Sequence, residues 1–227
     1  MSDLPRVLVV DDERQILRAL KVILRDAGYD VIEAATVEEA LDRAAVRPPD
    51  AAIVDLMLPD GSGVELTRRL REWTSMPILV LSAVGEEDAK VEALEAGADD
   101  YVTKPFGPRE LVARLSAALR RVGDAPGEPA IEVDGLHVDL NARVVRRDGE
   151  EVHLTPIEFD LLRALVRHRG RLMTHRALLV EVWGPQYGDD TQVLRAHIAN
   201  LRRKIEPAGA KPRFIGTDPG VGYRFMA

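Results

Sequence analysis

Asp55 closes the apolar run AAIVD and is followed at once by LMLPDG. Asp11 and Asp12 close RVLVV, and Lys104 follows DDYVT and precedes Pro105. Each run has the length and composition of a strand. All four charged side chains should therefore emerge at strand C-terminal ends, the edge where open parallel sheets bind ligands. Three carboxylates converging there repel one another unless a cation sits among them, and hard oxygen ligands suit Mg²⁺. One carboxylate is then free to attack phosphorus while the metal and a lysine neutralise the developing charge. Asp55 is the candidate nucleophile. Asp12 reads as a direct metal ligand and Asp11 as one acting through water. The Met57 backbone carbonyl is a third candidate ligand, because the chain turns there before Pro59. Ser82, just past PILVL, can donate a hydrogen bond to a phosphoryl oxygen. Each residue alone has a plainer reading: paired aspartates cap helices, and a lysine before proline is commonly a surface residue. Their joint position at three strand ends carries the chemistry.

The elements that must position these groups alternate. RVLVV, DVIEA, AAIVD, PILVL and DYVTK are strand candidates separated by amphipathic stretches. Ile16, Leu17, Leu20, Ile23 and Leu24 recur at helical spacing, and Gly28 follows as a stop signal. Thr36 with Glu39, and Ser62 with Glu65, have capping-box spacing. Alternating apolar strands and helices predict a parallel sheet covered on both faces. Residues 122–130, VGDAPGEPA, read as a flexible linker. Beyond them IEVDG, LHVDL, ARVVRR and EVHL are short strands joined by hairpin turns. Thr155, Pro156 and Glu158 start a helix, which Gly170 ends. THRALLVEVWG and DDTQVLRAHIANLRRKIE supply two more helices, and RFIGTDPGVGYRFMA a terminal hairpin. Three helices, a small sheet and a hairpin describe an α+β winged helix-turn-helix.

Composition agrees with two domains: 1–121, then 131–227 after the linker. The 227 residues exceed one small domain. With no cysteine there is no disulfide scaffold, cysteine-zinc site or thiol catalysis. The N-terminus lacks a signal-peptide pattern, and no apolar run approaches about 18 residues. A soluble cytoplasmic protein without membrane insertion is expected. Aromatics at 4% argue against a base-stacking binder of single strands. Residues 1–121 hold 16 Lys+Arg against 23 Asp+Glu, whereas 131–227 hold 15 against 13. That asymmetry implies two different jobs.

VVDDE, VDLMLPDGSG, LSA and DDYVTKPF resemble the receiver domain of bacterial two-component response regulators, in register over residues 5–121. The resemblance implies a flavodoxin-like fold, five parallel strands with five helices, and a Mg²⁺-dependent phosphorylation site at Asp55. Asp11, Asp12, Ser82 and Lys104 fill the remaining receiver positions, and Tyr101 matches the switch aromatic that turns inward on activation. GEEDAKVEALEAGADDYVTKPFGPRELVARLSAALRR resembles the face that pairs active OmpR/PhoB-type receivers. By that resemblance Val91, Leu94 and Ala113 form an apolar patch, Lys90 meets Glu110 across the interface, and Asp99 and Asp100 meet Arg114 and Arg121.

On the third C-terminal helix, Leu194, Ile198, Leu201 and Ile205 form an apolar stripe. The opposite face carries Gln192, Ala196, Ala199 and Arg203, flanked by Arg195 and Arg202 on one side and by His197, Asn200 and Lys204 toward the other. That set suits a major groove, although a solvated basic face fits the helix alone. LTPIEFDLL, LLVEVWG, this helix and GVGYRF resemble the OmpR/PhoB effector domain. By that resemblance wing contacts to DNA fall on Thr217, Arg213 and Arg224, but Pro219 stands where a wing arginine is often found. No metal-ligand spacing links His153, His168 and His175. LREWTSMPILVLSA, LPDG and KPRFIGTDPGVGYRF resemble the KdpE subgroup of potassium-transport regulators. The function implied is a transcription regulator, not an enzyme. A sensor histidine kinase phosphorylates Asp55, and the homodimer so formed binds double-stranded DNA with tandem half-sites, with RNA polymerase a further expected partner. The competing readings are a phosphorylation-independent DNA binder and a Mg²⁺-dependent aspartyl-phosphate phosphohydrolase. The second fits poorly, because Met57 stands where such enzymes carry an acid.

Overall fold

In a computed structural model, which describes residues 4–83, 85, 87–120, 130–187, 190–207 and 212–226, the chain divides into two compact units, Met1–Leu119 and Arg120–Ala227. In the first, β1 (Arg6–Val10), α1 (Arg14–Asp26), β2 (Asp30–Ala34), α2 (Val37–Val46) and β3 (Ala51–Asp55) lead to a small hairpin, β4 (Met57–Leu58) and β5 (Gly61–Ser62). Then follow α3 (Gly63–Arg71), β6 (Ile78–Ser82), α4 (Glu87–Glu95), β7 (Asp100–Thr103) and α5 (Pro108–Arg120). The five long strands pair in parallel in the order β2-β1-β3-β6-β7. Strand order reverses beside β1, which places a binding crevice between the ends of β1 and β3.

β3 and β6 are buried at every position, as strands covered on both faces must be. Alternate residues serve opposite faces. Val7, Val9, Ile53, Leu79 and Leu81 join Leu17, Leu20 and Leu24 of α1 and Leu111 and Leu115 of α5 in one core cluster. α1 ends where Gly28 takes φ +89°, a conformation that costs a glycine little. Thr36 caps α2 through Glu39 N at 3.1 Å, but the Glu39 carboxylate accepts from Ala35 N rather than completing the box.

The second unit opens with β8 (Ile131–Val133), β9 (Leu136–Asp139), β10 (Val144–Arg147) and β11 (Glu150–Glu151), an antiparallel sheet. α6 (Pro156–Arg167), β12 (Met173–Thr174), α7 (His175–Val182), a 3-10 turn (Pro185–Tyr187), α8 (Thr191–Ile205), β13 (Ile215–Asp218) and β14 (Gly222–Phe225) complete it. The Thr155–Glu158 capping box forms in full. β12 adds a third strand to the terminal hairpin. A side chain at Gly222 would put its Cβ 1.9 Å from the Met173 carbonyl, so only glycine lets β12 close on β14. The fold is thus a parallel α/β unit followed by an α+β winged-helix unit, as the element pattern predicts. The expected linker lies outside the described residues except for Ala130, as does Arg121.

Candidate functional site

β1 and β3 are neighbours and β7 lies one strand further on, beyond β6, yet all three deliver their charges to one place. Asp55, the last residue of β3, is 8% exposed, and Asp11, just past β1, is fully buried. Asp12 is exposed. Carboxylate oxygens of all three lie within 4.8 Å of one another. Lys104 Nζ stands 2.9 Å from Asp11 Oδ2 and 3.0 Å from Asp55 Oδ1. Asp11 Oδ1 also accepts from Glu13 N at 2.9 Å. Three carboxylates face one ammonium, an imbalance that a divalent cation would correct. Burial pushes the Asp55 pKa up, and the charge of Asp11 adds to it against the opposing pull of Lys104. Burial lowers the Lys104 pKa, but hydrogen bonds to Asp11 and Asp55 outweigh it and hold the ammonium above its ordinary value. Lys104 is therefore a fixed positive charge.

Ser82 closes β6, one residue past Leu81, which lies opposite Asp55 in the β3–β6 register. Its Oγ is buried and has no hydrogen-bond partner among the described residues. Such an orphan costs about 1–3 kcal/mol and is rare without a function. The Ser82 carbonyl accepts from Lys104 N at 2.7 Å, so the two groups are fixed to each other. Met57 pairs with Ser62, while Leu56 O accepts from Gly63 N at 2.9 Å. Antiparallel pairs alternate between bonded and non-bonded, so the Met57–Ser62 pair leaves the Met57 carbonyl out of the ladder. The Met57 side chain, 69% exposed, is no acid. Gly63 escaped the sequence reading: a Cβ there would lie 2.2 Å from the Asp55 carbonyl, so glycine is what lets α3 start against Asp55. The helix-start glycine of LPDGSG is the signal that marks it.

Tyr101 is half-buried on β7, with Lys90 Nζ 5.0 Å above its ring. The rest of the expected pairing face needs correction. Lys90 is only 5% exposed and bonds Glu87 at 2.8 Å, so it does not project outward toward Glu110. Leu94 is a core residue with no exposure. Asp99, 1% exposed, bonds Arg71 at 2.6 Å and Ile78 N at 2.8 Å. Asp100 is buried and meets Arg114 of the same chain at 3.1 Å. Opposite charges within the unit have claimed these groups. Glu110 and Ala113 are exposed and Val91 half-exposed.

On α8, Leu194, Ile198, Leu201 and Ile205 are buried. Arg195, Ala199 and Arg203 are exposed, with Gln192, Ala196 and Arg202 at intermediate exposure. Those six residues share one side of the helix at i, i+3, i+4 and i+7 spacing. His197 and Asn200 do not lie on it. His197 is 1% exposed with its ring 5.5 Å from Trp183. Asn200 is 3% exposed and accepts a hydrogen bond from Arg203. Lys204 pairs with Glu158 at 2.6 Å. Arg202 donates to Ile215 O at 2.6 Å and to Thr217 Oγ1 at 2.7 Å, bracing α8 against β13. In the hairpin Arg224 is held by Asp218 at 2.7 Å and Arg213 by Asp134 at 3.1 Å.

Comparison with known proteins gives a consistent picture. Residues 7–116 match the response regulator receiver domain family and residues 149–225 the family "Transcriptional regulatory protein, C terminal". The chain is 52% identical to the transcriptional regulatory protein KdpE of Mycobacterium tuberculosis, over 97% of this chain and 99% of that protein. It is 50% identical to the KDP operon transcriptional regulatory protein KdpE of Escherichia coli, over 97% and 98%. Among solved structures it resembles the response regulator DrrB, a Thermotoga maritima OmpR/PhoB homolog, at 31% identity and TM-score 0.53, covering 99% of this chain and all of that one. Among the described residues no helix is long and apolar enough to cross a membrane.

Proposed function

Because the chain belongs to the OmpR/PhoB family of two-component response regulators, we propose that Asp55 accepts a phosphoryl group from the histidine of a sensor kinase and that this controls DNA binding. One Asp55 carboxylate oxygen attacks phosphorus, the P–N bond to imidazole breaks, and an acyl phosphate forms. Mg²⁺, held by Asp12, Asp55 and the Met57 carbonyl with Asp11 through water, would neutralise charge on the phosphoryl oxygens. Lys104 moves its hydrogen bond from Asp55 to a phosphoryl oxygen, and Ser82 Oγ donates another. The buried Ser82 hydroxyl beside the carboxylate cluster, without a hydrogen-bond partner among the described residues, carries this reading, because a phosphoryl group would supply its acceptor.

As Ser82 is drawn toward the phosphoryl group, Tyr101 turns inward and withdraws from Lys90, whose ammonium now lies over its ring, and this change in the face favours pairing with a second copy. The two winged helices then occupy tandem half-sites. Gln192, Arg195, Ala196, Ala199 and Arg203 read the major groove, while the internally paired wing contributes little base contact. The similarity to the KdpE proteins supports potassium-transport genes as the target. The test is intact-mass measurement after incubation with a small phosphodonor and Mg²⁺. Wild type should gain one phosphoryl group and Asp55→Asn none. Equal labelling of the two proteins would overturn the assignment.

A further inference from the structure

We propose that Asp60, which lies outside the carboxylate cluster, is the positioning residue for the loop that offers the Met57 carbonyl to the metal. The inference rests on the metal site assigned above. Hairpin β4–β5 lies between the N-termini of α2 and α3. Asp60 at its tip reaches α2: Oδ1 accepts from Val37 N at 2.8 Å and Oδ2 from Glu38 N at 3.2 Å. Thr36 Oγ1 accepts from Glu39 N at 3.1 Å. The first three amides of α2, which no intrahelical carbonyl can serve, are therefore all satisfied, two of them by a residue from beyond β3. The Val37 amide is the main cause of an Asp60 pKa below the ordinary value, so the tether binds the charged carboxylate.

The other side of the hairpin is clamped too. Ser62 Oγ accepts from Glu65 N at 3.1 Å to cap α3. Gly61 packs so closely that an added Cβ would lie 3.1 Å from Glu65 Oε2 and 3.2 Å from a Val37 methyl. Arg69 and Glu38 join α3 to α2 at 2.5 Å. Asp55 is locked in the sheet between β1 and β6, whereas Met57 belongs to a two-strand hairpin with two residues a side. Of the ligands, the Met57 carbonyl alone depends on where the hairpin tip is pinned. Releasing Asp60 should loosen that ligand while leaving the carboxylates in place.

The test is isothermal titration of the full chain with MgCl₂. Loss of a supporting partner typically weakens metal affinity by about 10–100-fold. The expected effect of Asp60→Ala is about tenfold, since one ligand of several is loosened. Asp60→Asn, which retains an acceptor oxygen, should recover much of the loss. Thr36→Ala frays α2 but leaves the tether, and should bind Mg²⁺ as wild type does. Asp60 is exposed, so its variants should fold, and circular dichroism in EDTA checks this; Asp60→Ser, expected to weaken binding likewise, replaces any that does not. An unchanged affinity in Asp60→Ala, or an equal loss in Thr36→Ala, overturns the tether and leaves the site assignment standing. A wild-type protein that takes up no Mg²⁺ overturns both.

Discussion

Replacing Asp55 by asparagine removes one negative charge from a cluster that, among the described residues, has only Lys104 to balance it, and the consequence without metal can be worked through. Asp11 and Asp55 oxygens within 4.8 Å repel by about 3–4 kcal/mol at an effective dielectric of about 20. Asp12, exposed and screened, adds about 1–2 kcal/mol. Lys104 at 3.0 Å returns about 5–6 kcal/mol. These contributions nearly cancel, so desolvation of the buried carboxylate decides the sign, in agreement with its raised pKa and its leading cause. Asp55→Asn should therefore stabilise the metal-free first unit by about 1–2 kcal/mol, or about 3–8 °C in melting temperature.

The pH dependence has a definite sign. A carboxyl whose folded pKa is raised binds more protons folded than unfolded, so wild-type stability falls as pH rises from about 3.8, the ordinary value, through the folded value. The advantage of asparagine is thus full at neutral pH and vanishes in acid. Mg²⁺ acts the other way. At a hundred times its Kd it would stabilise wild type by about 2.7 kcal/mol and the variant by less, since one anionic ligand is gone, so the gap closes. Thermal melting followed by circular dichroism, in EDTA and then across a Mg²⁺ titration, measures both effects. An asparagine variant less stable than wild type in EDTA, or one with an equal Mg²⁺ response, would show that the carboxylates do not form a cation site.

Ser82→Ala should raise resting stability by about 1 kcal/mol in urea unfolding, because it removes a buried hydroxyl that has no partner among the described residues, yet abolish phosphodonor-induced dimerisation in analytical ultracentrifugation. Arg71→Ala strands the buried Asp99 carboxylate and should destabilise the first unit by about 3–5 kcal/mol in the same unfolding assay. Arg203→Ala should weaken operator binding by about 1–3 kcal/mol with an unchanged melt, whereas His197→Ala should lower the melting temperature of the second unit, because it empties a site against Trp183. Fluorescence anisotropy with a promoter duplex, run beside the melts, separates the two.

The carboxylate cluster was legible because it depends on strand ends, and strand ends are written locally. An apolar run covered on both faces must stop where a charge appears, so AAIVD placed Asp55 and RVLVV placed Asp11. The hairpin Met57–Ser62 was not legible as structure. Strands of two residues show no period, and the reach of Asp60 to Val37 N joins positions with no local signature. Gly63 is similar: its need for a bare Cα arises from the Asp55 carbonyl, eight residues away in sequence and in van der Waals range only once β3 and α3 have packed.

Charged helix faces were read less well, and the two cases fail for different reasons. On α4 and β7 the charges seemed available because their partners are remote in sequence. Asp99 is buried where Arg71 arrives from the end of α3 and Ile78 N from β6, and Lys90 where the Tyr101 ring, eleven residues on, lies beneath its ammonium. A burial set by distant opposite charge leaves no trace in local periodicity. On α8 the stripe of Leu194, Ile198, Leu201 and Ile205 set the register correctly, but its width was underestimated. The helix packs against α6 and α7 and is tied to β13 through Arg202, so neighbours surround much of it. The flanks at His197 and Asn200 are therefore swallowed by the core. What stays open is a narrow arc running from Gln192 through Arg195, Ala196 and Ala199 to Arg203, with two alanines in its middle.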